Sequence, residues 1–118
     1  GLVAITPGAG FVSMGSSIFI GVVASLICNV AVHWKNTSDV DDTLDVFPCH
    51  GVGGIVGMIL TAVFATQGGL ITGSFELLNK HLLALVIVSI FTFGGSWVIY
   101  KVVMLFTPLR VNEEDEEK

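Results

Sequence analysis

A chain of 118 residues makes one domain at most, and its 53% hydrophobic and 13% charged content lies far from soluble averages, where about 25% of residues are charged. With a mean hydropathy of +0.85, this is the composition of an integral membrane protein. The net charge of −5 is concentrated in Glu113, Glu114, Asp115, Glu116 and Glu117, and the lack of any basic patch excludes nucleic acid as a partner. Cys28 and Cys49 lie inside apolar runs, so free thiols are expected rather than a disulfide. The chain opens on Gly1 with neither a starter methionine nor a basic n-region, and is expected to be part of a longer polypeptide.

Gly1 to Gly10 is apolar but interrupted by Pro7, Gly8 and Gly10, too short and too broken to span a bilayer. Irregular backbone survives in a membrane only where protein or a water-lined cavity satisfies it. The stretch is therefore either a break beside a pore, with Thr6 offering a hydroxyl, or a surface loop. Residues 11–32 carry no charge and form the first spanning candidate. Ser17, Gly21, Ala24, Cys28 and Ala31 recur there at helical spacing, a small-residue stripe of the kind that packs helices in lipid. Asn29 suits a bond to a neighbouring helix.

Residues 33–45 are polar. Trp34 beside Lys35 fits the aromatic belt at a bilayer edge. Asp39, Asp41, Thr43 and Asp45 resemble a calcium loop, but the sixth position is Leu44 and the twelfth is His50, where glycine and glutamate are needed. Asp41 and Asp45 are better placed to serve the start of the next helix, near its positive end.

Residues 46–66 are the second span. No Asp, Glu, Lys or Arg occurs between Val46 and Phe75, and about 20 such residues cross a bilayer core. Pro48 falls in the first turn, where its missing N–H does least harm. His50 then stands inside the apolar run. An ionisable side chain there faces a bundle interior or a pore, which makes it a functional candidate. Gly53 or Gly54, Gly57 and Thr61 continue at helical spacing from His50, a face on which another helix can approach closely. Residues 67–80 read as a glycine-rich loop, and 82–106 as the third span, with Trp97, Tyr100 and Lys101 at one interface. Residues 107–118 form an acidic tail after Pro108. Lys35, Lys101, Arg110 and Lys118 fall on one side and Lys80 alone on the other, so the positive-inside rule puts loop 33–45 and the tail in the cytoplasm. The fold expected is all-α: three transmembrane helices preceded by a broken re-entrant stretch.

No enzyme is implied. The chain has no Gly-x-Ser-x-Gly, no His-Glu-x-x-His and no paired intramembrane aspartates, and no cofactor is required.

Gly1-Leu2-Val3-Ala4-Ile5-Thr6-Pro7, the run Asp41-Asp42-Thr43-Leu44-Asp45-Val46-Phe47 through His50-Gly51-Val52-Gly53-Gly54-Ile55, and Leu109-Arg110-Val111 resemble the C-terminal part of the ammonium transporter family (Amt, Mep and Rh). The Asp-Val-Phe before His-Gly is closest to the Amt branch. The resemblance implies a homotrimer of eleven-helix subunits, each with its own pore, of which this chain would supply the last three helices and would need the N-terminal ones. It implies that His50 is one of two histidines sharing a hydrogen bond across the pore, that Thr6 and Val46 line the same pore, and that the tail from Arg110 onward meets PII-type signalling proteins. The substrate implied is ammonium or ammonia. Two other readings stay open on the residues alone: a haem-binding membrane anchor using His33, His50 or His81, and a structural three-helix subunit.

Overall fold

The computed structural model describes residues 1–107; Arg110 and the acidic run after it lie outside the described residues. The described elements are helical: α1 (Leu2–Ile5), a 3-10 turn at Thr6–Gly8, α2 (Met14–Asn36), a π turn at Phe47–Val52 leading into α3 (Gly53–Phe64), a second 3-10 turn at Leu70–Thr72, and α4 (Glu76–Met104). The only strand-like pairing described is an isolated bridge between Val12 and Ala65. Three segments are long and apolar enough to cross a membrane: Met14–Asn36, Phe47–Phe64 and Glu76–Met104. The architecture is that of an all-α membrane protein.

The broken stretch owes its shape to its residues. Pro7 stands at the start of the 3-10 turn, where its missing N–H is not needed, and Gly10 takes the left-handed conformation at φ 81° that glycine adopts without penalty. Its backbone does not go unpaired. Phe11 O accepts from Thr66 N at 2.9 Å and from Thr66 Oγ1 at 3.1 Å, which fastens the far end of the break to the end of α3. Ala9 N donates to Thr6 O and Phe11 N to Gly8 O, so these groups of the stretch are satisfied by protein, as membrane depth demands.

Helix α2 starts at Met14 because Ser13 caps it, its Oγ accepting from Ser16 N at 3.2 Å. It runs four residues past the expected end at Val32, carrying Lys35 inward rather than out to an interface. Ala24 and Cys28 of the small-residue stripe are buried. Ile20, which the spacing puts off that stripe, is also fully buried and joins Ala4 and Ala24 in the core, surrounded by Ile5, Val12, Val56, Leu60 and Phe64. Phe19 meets Phe64 edge to face at 5.3 Å.

Helix α4 begins at Glu76, six residues before the expected start at Leu82. Ser74 Oγ accepts from Glu76 N at 3.3 Å, and Lys80 Nζ pairs with Glu76 Oε1 at 2.6 Å across one turn. Charges that read as loop are therefore a solvated first turn. The chain divides into two compact units, Gly1–Leu85 and the residues from Val86 on. The core and the site described next belong to the first unit.

Candidate functional site at the start of the second span

Three ionic side chains bracket the turn between α2 and the π turn. Lys35, in the last turn of α2, is 9% exposed. Its Nζ donates to Asp42 O at 2.9 Å and lies 2.6 Å from Asp45 Oδ1, the second being an ionic contact without hydrogen-bond geometry. Asp42 turns its carboxylate the other way: Oδ1 accepts from Val46 N at 2.9 Å and Oδ2 from Phe47 N at 2.8 Å. These are two of the orphan donors at a helix start. The bonds to Phe47 and then Val46 hold the Asp42 carboxyl below its ordinary value of 3.8, with Lys35 helping slightly and partial burial opposing.

The capping role falls to Asp42, and not to Asp41 or Asp45, the two acids expected at this helix start. Asp41 accepts only a long 3.5 Å bond from Thr43 Oγ1. Asp45 pairs with Lys35 and holds a left-handed backbone at φ 53°, while its carbonyl accepts from Cys49 N at 2.9 Å. An aspartate tolerates that conformation better than most residues. With three acids in five positions, spacing alone favours Asp41 and Asp45 and passes over Asp42, and Lys35 reads as an interfacial charge because nothing local signals its burial.

His50 sits on the π turn Phe47–Val52. Pro48 is fully buried in its first turn. The Phe47 ring covers Gly51, where a Cβ would stand 3.2 Å from Cδ2. A π turn carries more residues than an α turn, and such turns occur frequently at functional sites. It also changes the helix phase. Gly53, Gly57 and Thr61 are buried within this chain, whereas His50 is exposed within it. Val46, just before the π turn, is exposed as well.

The glycines meet the broken stretch and α2. A Cβ on Gly57 would fall 2.7 Å from Ala4 Cα and closer still to Ala4 O. A Cβ on Gly53 would lie 3.2 Å from Cys28 Sγ, whereas one on Gly54 would meet nothing within 4 Å. Thr6 is exposed, and its hydroxyl donates to Val3 O. The stretch carrying Thr6 therefore packs on the helix that follows His50. No hydrogen bond among the described residues joins Thr6, Val46 and His50.

Midway along α3, His81 Nδ1 bonds Met58 O at 2.8 Å. A carbonyl only accepts, so Nδ1 carries the hydrogen. This clasp ties the first turns of α4 to α3, beside a cavity of about 320 Å³ lined in part by Pro7, Phe11, Thr61 and His81. His33 is exposed. No group of metal-ligating side chains occurs among the described residues.

Comparison with known proteins covers the whole chain. The model of the Ammonium Transporter Family matches residues 1–118. An ammonium transporter of Bacillus subtilis is 43% identical over 98% of this chain and 31% of its own length. The Archaeoglobus fulgidus ammonium transporter Amt1 is 33% identical over the same shares. A Methanothermobacter thermautotrophicus protein, whose description also names an ammonium transporter, is 45% identical, again over 98% of the chain and 31% of its own length. No solved structure matches the chain at a significant level. The chain spans about a third of the length of the curated relatives it matches. With three helices apolar enough to span a membrane and a family match across all of its 118 residues, this chain belongs to the ammonium transporter family and is part of a multi-pass membrane protein.

Proposed function

We propose that this chain forms the C-terminal part of a subunit that carries ammonium or ammonia through a hydrophobic pore, with His50 as one of a pair of pore histidines. The observation that carries the reading is His50 itself: an exposed ionisable residue on a π turn at the head of an apolar helix, in a chain of this family. Ammonium is a hydrated cation, and an apolar conduit penalises its bare charge. Neutral imidazole donates from one nitrogen and accepts at the other, so a histidine at the waist admits ammonia and offers the displaced proton a relay. Thr6 and Val46 line the same passage, and Gly54, open within this chain, faces helices contributed by the rest of the subunit. The subunit assembles as a homotrimer with loop 33–45 and the tail in the cytoplasm, where the tail from Arg110 serves a PII-type partner.

The test is electrophysiological. In the full-length protein on supported membranes, His50→Ala abolishes ammonium-driven current per assembled protein. His50→Glu retains or broadens cation passage, because an ionisable group remains at the waist. Wild-type current and selectivity in assembled His50→Ala would falsify the pore role.

A further inference from the structure

The Lys35 bracket reaches the helix of His50 by two separate routes. Along the first, Lys35 Nζ holds the Asp42 carbonyl at 2.9 Å, and the Asp42 carboxylate holds the amides of Val46 and Phe47. Along the second, Nζ meets the Asp45 carboxylate at 2.6 Å, and the Asp45 carbonyl holds the amide of Cys49, the residue before His50. Both routes leave from one ammonium group at 9% exposure. A buried charge costs desolvation that an apolar fastener of the same size would avoid, and Asp45 holds a left-handed backbone that persists only when its surroundings enforce it.

We infer that Lys35 is a positioning residue for the pore helix: by fixing Asp42 and Asp45 together it sets where Val46 and His50 stand, so that conduction, and not folding alone, depends on its charge. The inference rests on the pore reading of His50. It assigns Lys35 no contact with the transported species. Its action runs through the backbone of Val46, Phe47 and Cys49, the segment that delivers the histidine into the π turn.

Two variants of the full-length protein separate this from mere stabilisation. Lys35→Met keeps the buried stem and removes the ammonium group. Asp45→Asn keeps a residue that tolerates the left-handed backbone and removes only the charge. Lys35→Met is expected to lower ammonium-driven current per assembled protein by about tenfold or more, on the scale by which a displaced functional group loses activity. It also shifts the pH profile of the remaining current, because the surroundings of His50 change. Asp45→Asn moves both in the same direction by less. A purely structural lysine would lower yield and leave current per assembled protein, and its pH profile, unaltered; that result overturns the inference. Where Lys35→Met does not assemble, wild-type current and pH profile in Asp45→Asn overturn it. If His50→Ala conducts normally, the pore reading itself has failed. If His50→Ala is dead and Lys35→Met is normal, only the role of Lys35 has.

Discussion

At the scale of single residues, Asp42 gives the clearest link between charge and stability. Its carboxyl is held below the ordinary 3.8 because the anion accepts from Phe47 N and Val46 N. A group depressed in the folded state stabilises that state above its unfolded value, and the contribution is lost as the pH falls through the native one. The cap is therefore fully in force at neutral pH and disappears on acidification below about 4. Asp42→Asn retains an acceptor but no charge. Thermal unfolding of purified protein should show the variant less stable than wild type at pH 7, with the gap narrowing as the pH is taken below 3.8 and through the lower native value. Equal stability of variant and wild type at pH 7 would mean the carboxylate contributes nothing through its charge.

At the scale of elements, the junction of α1 and α3 is the tightest in the first unit. Gly57 admits the backbone of Ala4 where no side chain fits, and Gly54, three residues earlier, meets nothing within this chain. Overpacking a close contact costs roughly 1–3 kcal/mol. Gly57→Ala should thus reduce the melting temperature and the yield of assembled full-length protein well beyond Gly54→Ala. Equal behaviour of the two would mean that the broken stretch does not lie on this face. The small-residue spacing was readable in the sequence because membrane helices pack on small residues. The phase of His50 was not, since a π turn arises from backbone bonding that no local residue pattern announces. Nor was the early start of α4, where the (i, i+4) pair of Glu76 and Lys80 looks like loop polarity when hydropathy is the guide. The bracket of Lys35, Asp42 and Asp45 was half legible: the acids marked a helix start, but which of them capped it depended on where Lys35 turned.

At the scale of the whole molecule, composition decided the class: a chain with three long apolar helices has nowhere to bury them in water. The length of α4 carries a further consequence. Its 29 residues rise about 1.5 Å each and make a rod of about 44 Å, against a hydrocarbon core of about 30 Å. A mismatch of that size is relieved by tilt or by letting the ends stand clear of the lipid. The ends are built to stand clear. Glu76 and Lys80 pair in the first turns, and near the other terminus Lys101 Nζ lies 5.8 Å from the Trp97 ring, a headgroup-level pairing. From Leu82 to Met104 the remaining length is about 34 Å, which fits the core with modest inclination. Single cysteines in the full-length protein would map this boundary: a thiol at Lys80 should react readily with a membrane-impermeant maleimide, and one at Ile87 should not. Fast labelling at both positions would mean the polar cuff extends deeper and the helix sits shallower than its hydrophobic length requires.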